Sequence, residues 1–115
     1  MDLVSFKETA DKYSVIFLDA YGVLKSATGL IDGALETVTS LIDSGKEVYV
    51  VTNDSSRSPE SMAERYSAKA GRDLLPAERY ISSGLLASEY LENQIPYGKV
   101  AYLGKPESAH YIEIA

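Results

Sequence analysis

The chain has 115 residues, of which 45% are hydrophobic, so it forms at most one domain with a modest core. Its net charge of -6 and pI near 4.7 argue against the basic surface of proteins that bind nucleic acid or anionic membranes. The absence of cysteine excludes disulfides and thiolate metal sites, and the single His110 cannot form a zinc cluster alone. No apolar run approaches the roughly 18 residues of a membrane span, and the polar N-terminus is unlike a signal peptide, so we expect a cytoplasmic protein.

The first predicted unit is a strand, a helix and a second strand. "SVIFLD" (14–19) and "EVYVVT" (47–52) are continuous apolar runs, typical of strands buried on both faces of a parallel sheet. Between them, Asp32 is a candidate N-cap and Gly45 a candidate stop for one helix. The apolar face of that helix comprises Ala34, Leu35, Val38, Leu41 and Ile42.

The second half of the chain continues the alternation of helices and strands. Ser58 and Pro59 open a helix with Met62 and Tyr66 on one face, and Gly71 ends it. A short strand over 79–82, a helix over roughly 84–94 and a third strong strand, "KVAYLG" (99–104), follow. This order predicts an α/β fold with a parallel sheet in a three-layer α/β/α sandwich, with ligands at the carboxyl ends of the strands.

Two polar side chains stand where the predicted apolar strands end. Asp19 closes the first strand and Thr52 closes the second, so the two face one crevice if the strands are neighbours. The segment 20–33, "AYGVLKSATGLIDG", has glycines suited to a tight turn and a small flap. An aspartate after a strand is also a common turn former or helix cap, and "TNDSSRS" (52–58) is by composition merely a polar loop.

Both segments resemble motifs of one enzyme superfamily. "FLDAYGVL" resembles motif I of the haloacid dehalogenase superfamily, and "VVTNDSSRS" resembles motif II of its para-nitrophenylphosphatase-like subclass. The 33 residues from Asp19 to Thr52 leave room for a flap and one helix, which fits the subclass whose cap follows the third core strand. The resemblance runs from about residue 14 to the end and covers the N-terminal half of a Rossmann-like core, with a hinge or cap beginning at about 104–115.

The resemblance implies Mg²⁺-dependent hydrolysis of a small phosphorylated metabolite through an aspartyl-phosphate. Asp19 would be the nucleophile, and its carboxylate would bind Mg²⁺ together with the backbone carbonyl of Tyr21. The Thr52 hydroxyl and the Asn53 N–H would hold the phosphoryl oxygens. Gly22 would let the backbone approach the ligand closely.

Two positions depart from the family pattern. Asp54 replaces the usual asparagine and adds negative charge near the phosphate site. Tyr21 stands where phosphatases of the superfamily have a second catalytic aspartate. A phenol, with a reference pKa of about 10, is only ~0.1% ionised at pH 7. Loss of general acid–base help typically costs about 10²–10⁴ in rate, so turnover would suffer while nucleophilic attack survives.

Alternative interpretations follow from the same residues. "DAYG" is also the motif I wording of 2-haloacid dehalogenases, whose halide leaving group requires no proton. A non-catalytic fragment or binding domain is a third possibility, because no acidic pair for motif IV follows the third predicted strand. Lys105 is either a motif III lysine or a hinge residue, and His110 is a surface or half-buried helix residue.

An incomplete core also bears on assembly. The unpaired edge of strand 14–19 would favour a homodimer or association with the remaining half of the core.

Overall fold

The computed structural model describes residues 5–95 and 97–115. Its five strands are β1 (Val15–Asp19), β2 (Lys25–Ser26), β3 (Gly29–Leu30), β4 (Glu47–Thr52) and β5 (Tyr80–Ser82). Its five α-helices are α1 (Phe6–Ala10), α2 (Ala34–Asp43), α3 (Pro59–Ala70), α4 (Ser83–Gln94) and α5 (His110–Glu113). Single 3₁₀ turns cover Ala77–Arg79 and Pro106–Ser108. None of the helices in this part of the chain is long and apolar enough to cross a membrane.

The main sheet is parallel and has the strand order β1-β4-β5. Asp19 pairs in register with Val51, and Thr52 pairs with Ser82, so the three strands end at one edge of the sheet. This arrangement confirms the predicted Rossmann-like α/β fold class. It also places β1 at the margin of the described sheet.

One face of the sheet carries the core. Ile16 and Leu18 of β1, together with Val48 and Val50 of β4, are buried in a cluster with apolar residues of α1, α2 and α3. The cluster includes the predicted apolar face of α2, where Ala34, Leu35, Val38 and Leu41 are buried and Ile42 is partly buried. Met62 and Tyr66 of α3 are buried as predicted. The alternation of buried and exposed positions along β1 arises because this face alone is covered.

The helix termini follow the predicted chemistry with one exception. Ser58 caps α3 by accepting a hydrogen bond from the N–H of Ser61, and Gly71 ends this helix in the left-handed conformation. At the start of α2, however, the N-cap is Gly33 rather than Asp32. Gly33 has a φ of 79°, a left-handed conformation that favours glycine, so the chain enters α2 through a turn instead of through an aspartate cap.

The predicted third strong strand does not form. Residues 97–104 contain no strand, and Leu103 is fully exposed. Tyr102 donates a hydrogen bond from its hydroxyl to the carbonyl of Lys105, which closes a local turn. An apolar run becomes a strand only where a neighbouring strand pairs with it, and the pattern alone did not identify such a neighbour.

The opposite face of the sheet is uncovered at β1 and β4 within the described residues. Val15, Phe17 and Val51 are 39%, 61% and 40% exposed. The Phe17 ring stacks on Tyr49 at a centroid distance of 5.0 Å, and the Arg79 guanidinium lies 4.5 Å from the centroid of the Tyr49 ring. This face is therefore apolar and aromatic, with a charged margin.

Candidate functional site

Asp19 and Thr52 end two neighbouring parallel strands, as the sequence predicted. The register that pairs Asp19 with Val51 brings the end of β1 beside the end of β4. A crevice of about 250 Å³ lies at this edge and is lined by Phe17, Leu18, Asp19, Val51, Thr52 and Asn53. The structure therefore brings three of the predicted site residues to one crevice.

The Asp19 carboxylate is exposed and only partly engaged. Its Oδ1 atom accepts a hydrogen bond from the N–H of Ala20 at 2.8 Å. Its other oxygen accepts no hydrogen bond from any residue in 5–95 or 97–115. A carboxylate fixed through one oxygen keeps the second available to attack an electrophile or to bind a cation.

The turn after Asp19 is built from backbone hydrogen bonds. The N–H groups of Leu24 and Lys25 both donate to the Ala20 carbonyl at 2.9 Å, and Gly22 N–H donates to the Lys25 carbonyl at 2.7 Å. Gly22 has a φ of 86°, so the turn itself requires glycine at this position. A Cβ there would meet no atom within 4 Å. The turn geometry explains Gly22 without the close approach to a ligand that the family resemblance suggested, and that role stays a prediction.

Tyr21 lies in the same turn with its side chain 60% exposed. Its backbone forms an isolated bridge with Lys25, which fixes the course of the turn. The phenol is thus presented near the end of β1, where the sequence comparison placed it. The catalytic and metal-binding roles of Tyr21 remain predictions.

The loop after β4 is ordered by its own polar groups. Thr52 is 5% exposed, and its Oγ1 accepts a hydrogen bond from the N–H of Asp54 at 3.0 Å. A hydroxyl that accepts in this way can still donate its own hydrogen. Asn53 is exposed, and its carbonyl accepts from the Ser83 hydroxyl at 3.0 Å, which ties the loop to the start of α4.

Asp54 has a partner that the sequence interpretation missed. Its Oδ2 atom forms an ion pair with the Lys25 ammonium at 2.5 Å. Its Oδ1 atom accepts hydrogen bonds from the N–H and the hydroxyl of Ser56 at 3.0 and 2.5 Å. The Lys25 hydrogen bond and those from Ser56 hold the pKa of the Asp54 carboxyl well below its usual range. The negative charge expected near the phosphate site is therefore compensated locally. Only the tertiary fold reveals this pairing, because 29 residues separate its members.

A buried hydrogen-bond chain holds the far side of the same loop. Ser82 donates from its hydroxyl to the Tyr111 oxygen at 2.9 Å, and Tyr111 donates to the Arg57 carbonyl at 2.6 Å. The Ser82 oxygen also accepts from the N–H of Leu85 and so caps α4. No sequence signal identifies Tyr111, since an aromatic residue in a short segment has many possible roles.

Lys105 and His110 occupy peripheral positions. Lys105 is exposed at the N-cap of the turn Pro106–Ser108, and it does not line the crevice beside Asp19. Its two predicted roles, motif III lysine and hinge residue, both stay predictions. His110 begins α5 and is half-buried, as expected for a helix residue without a special role.

The oxygen donors at the crevice are of the type that Mg²⁺ prefers. The Asp19 carboxylate has a free oxygen, and a backbone carbonyl such as that of Tyr21 is a hard ligand. Across the described ranges, however, no three acidic or histidine side chains cluster in a way that could hold a metal ion. These residues thus fit part of a magnesium shell.

Comparisons with known proteins agree with the fold. A family model described as haloacid dehalogenase-like hydrolase matches residues 16–115. A possible sugar phosphatase of the HAD superfamily from Cytophaga hutchinsonii is 45% identical, with a TM-score of 0.85 over 97% of this chain and 39% of that one. The 4-nitrophenylphosphatase of Thermotoga maritima is 25% identical, with a TM-score of 0.70 over 90% of this chain and 39% of that one.

A curated relative gives the same result by sequence. Phosphoglycolate phosphatase 2 of Arabidopsis thaliana is 31% identical over 100 residues, which are 86% of this chain and 33% of the relative. The chain spans between a third and two fifths of the length of these proteins. The para-nitrophenylphosphatase-like subclass suggested by motif II is confirmed by these neighbours. The chain belongs to the haloacid dehalogenase-like hydrolases.

Proposed function

We propose that this chain supplies the nucleophile and the phosphate-binding loop of a phosphomonoester hydrolase. The observation that carries the proposal is the crevice shared by Asp19, Thr52 and Asn53 at the ends of two neighbouring parallel strands. The phosphatase names of its relatives support the same reaction class. A domain organisation in which residues 1–115 form part of the core, with a hinge or cap starting at about 104–115, belongs to this proposal.

The reaction proceeds in two displacements. In the first, an oxygen of the Asp19 carboxylate forms a bond to phosphorus while the bond from phosphorus to the leaving oxygen breaks. The leaving group keeps that electron pair and takes a proton from solvent or a nearby acid. In the second, water attacks the aspartyl-phosphate, releases inorganic phosphate and restores the Asp19 carboxylate.

Each loop residue has a role in this scheme. The Thr52 hydroxyl, already oriented by the Asp54 N–H, donates to a phosphoryl oxygen, and the Asn53 N–H does the same. The Asp19 carboxylate and the Tyr21 carbonyl would hold Mg²⁺. When bound, this ion neutralises the charge of the incoming phosphate dianion.

The substrate class follows from the reaction and the size of the crevice. A small phosphorylated metabolite, such as a phosphorylated sugar or sugar acid, fits an open crevice of about 250 Å³ better than a macromolecule does. One similar protein is named a possible sugar phosphatase, and another a phosphoglycolate phosphatase. A cytoplasmic location, expected from the sequence, suits such a substrate and remains a prediction.

The direct test is covalent labelling of Asp19. The 115-residue chain is mixed with Mg²⁺ and p-nitrophenyl phosphate, quenched in acid and analysed by mass spectrometry for one added phosphoryl group. We expect a hydroxylamine-sensitive adduct on Asp19 that is absent from Asp19→Asn. Asp73→Asn, which changes an exposed aspartate away from the crevice, is the matched control and should label like the wild type.

Tyr21 favours a second candidate function, hydrolysis of a 2-haloacid. The phenol occupies the place of the second acid and is 60% exposed, and a departing halide needs no proton. Chloride release from 2-chloropropionate measures this activity. If the chain released chloride and formed no phosphoryl adduct, the dehalogenase would replace the phosphatase. If it did neither, the chain would be a non-catalytic domain.

A further inference from the structure

We propose that the Lys25–Asp54 ion pair is a positioning device that holds the turn after Asp19 and the loop after Thr52 in a fixed relation. This inference rests on the proposed function, because it assigns these two side chains a task in the phosphoryl-transfer site. Neither residue needs to touch the substrate. Both act through the groups that do.

Lys25 is anchored to the end of β1 through its backbone. Its N–H donates to the Ala20 carbonyl at 2.9 Å, and its carbonyl accepts from Gly22 N–H at 2.7 Å. Lys25 thereby closes the turn that contains Tyr21 and begins directly after the nucleophile. Any displacement of Lys25 is transmitted to this turn.

Asp54 is anchored to the end of β4 in the same manner. Its N–H donates to Thr52 Oγ1 at 3.0 Å, and its carboxylate accepts two hydrogen bonds from Ser56. One oxygen of the Asp54 carboxylate therefore binds within its own loop, and the other, Oδ2, accepts the hydrogen bond from Lys25. The 2.5 Å contact completes a closed path from Ala20 through Lys25 and Asp54 to Thr52.

The cleft beside the β2–β3 hairpin shows why the Lys25–Asp54 ion pair matters for the position of the hairpin. A cleft of about 420 Å³ separates the hairpin from α3. In the part of the chain that the structure describes, Lys25 to Asp54 is the only side-chain hydrogen bond from hairpin residues 25–30 to a residue outside the hairpin. Arg57, Arg65 and Lys69 also line the cleft, so without Asp54 the Lys25 ammonium would face like charges.

Partial burial makes the pair suited to positioning. The two side chains are 31% and 30% exposed, so water screens them less than it screens a fully exposed pair. If the pair is broken, the turn and the loop can shift independently. Displacement of reacting groups by about 1 Å costs on the order of 10²-fold in rate.

The experiment compares Lys25→Met, Lys25→Arg, Asp54→Asn and the double variant Lys25→Met/Asp54→Asn by the rate of Asp19 phosphorylation from p-nitrophenyl phosphate. Lys69→Met, which removes an exposed lysine from the opposite wall of the same cleft, is the matched control. We expect each charge-removing single variant to slow labelling by roughly 10- to 100-fold. Lys25→Arg should recover most of the rate, and Lys69→Met should label like the wild type.

The double variant tests whether the two residues act as one unit. Because each single variant already breaks the pair, the double variant should be no slower than the slower single variant, a clear departure from additivity. Purely additive losses, or labelling by Lys25→Met within twofold of wild type, would overturn the inference. If Lys25→Met fails to fold, Asp54→Asn, which keeps the size of the side chain, still decides the question.

The design separates this inference from the proposed function. If Asp19→Asn still acquires the phosphoryl group, the proposed function fails and the pair has no such site to position. If Asp19→Asn loses the label while Lys25→Met and Asp54→Asn keep the wild-type rate, the proposed function stands and the positioning role is wrong.

Discussion

The ring of Tyr111 lies directly against the backbone of Gly84. A Cβ built on Gly84 would come within 2.5 Å of the Tyr111 Cδ2 atom, and Tyr111 is only 2% exposed. This contact seats α5 against the start of α4. From there the Tyr111 hydroxyl reaches Ser82 and the Arg57 carbonyl of the loop beside the crevice.

The first prediction is that Gly84→Ala destabilises the protein. In an exposed helix, alanine is favoured over glycine by about 1 kcal/mol. Here overpacking against the Tyr111 ring should outweigh this preference and lower the free energy of unfolding by about 1–3 kcal/mol. Urea denaturation measures this change. In a Tyr111→Leu background the same substitution should cost much less, and a higher midpoint for Gly84→Ala alone would contradict the contact.

The second prediction concerns the Tyr80 hydroxyl. It is buried and, within the described residues, has no hydrogen-bond partner, and burial raises the pKa of this phenol. Tyr80→Phe removes an unsatisfied polar atom and keeps the stacking on Tyr66, so stability should rise by roughly 1 kcal/mol. The matched control is Tyr111→Phe, which loses two hydrogen bonds. Its free energy of unfolding should be lower than that of the wild type by about 1–3 kcal/mol. Equal effects of the two substitutions would count against this account.

The third prediction concerns the uncovered face of the sheet. Phe17, stacked on Tyr49, lies on this apolar face, and the edge of β1 is unpaired in the described sheet. We propose that this side binds a second copy of the chain or the remaining half of the core, since either would remove apolar surface from water. The chain should therefore form dimers or larger species at micromolar concentration in light scattering.

Substitutions at two similarly exposed residues distinguish specific association through this face from nonspecific aggregation. Phe17 is 61% exposed and Leu86 on α4 is 60% exposed. Phe17→Ser should shift the equilibrium toward monomer, while Leu86→Ser should leave it unchanged. A wild-type chain that remains a stable monomer would contradict self-association through this face.

The fourth prediction is a pH dependence of stability that Asp54 controls. Its folded-state pKa is lowered, chiefly by the Lys25 hydrogen bond and then by Ser56. A lowered pKa contributes stability that is present above the unfolded-state value of about 3.9 and is lost as the pH falls toward the folded value. The stability advantage of wild type over Asp54→Asn should therefore be full at pH 7 and shrink below about pH 4.

Other charges near Asp54 must be accounted for in that comparison. The basic side chains of Arg57, Arg65 and Lys69 line the same cleft, together with the Tyr66 phenol. Chemical denaturation at pH 7, 4 and 3 measures the difference. Asp73→Asn serves as the exposed control. A constant difference between wild type and Asp54→Asn down to pH 3 would show that the ion pair does not contribute.

The fifth prediction concerns Tyr21 and applies to a chain that turns over substrate. If the phosphatase proposal is right, Tyr21→Asp restores a carboxyl that can protonate the leaving group and activate water, and turnover of alkyl phosphates should rise by up to ~10²-fold. If the protein is a dehalogenase, a second carboxylate beside Asp19 should slow it by repelling the substrate carboxylate. Steady-state kinetics on both substrate types, with the equally exposed Tyr90→Asp as control, distinguish the two.

The sequence by itself determined the order of the principal elements and the residues that end them. Apolar runs marked β1 and β4, and Ser58, Pro59 and Gly71 marked the bounds of α3, because capping and strand burial are local properties. The same runs placed Asp19 and Thr52 at strand ends, and motif resemblance identified the superfamily. The family comparison confirms the superfamily.

Tertiary structure decided what depends on distant partners. The apolar run 99–104 lacks a paired strand, and its local sequence could not reveal that. In the sequence, Asp54 is only an additional negative charge. The fold brings Lys25, 29 residues away, to its carboxylate. The space beside Gly84 is filled by the Tyr111 ring, which lies 27 residues further along the chain. In the last two cases the stabilising or opposing interaction is a contact between segments that are remote along the chain, and only folding creates that contact.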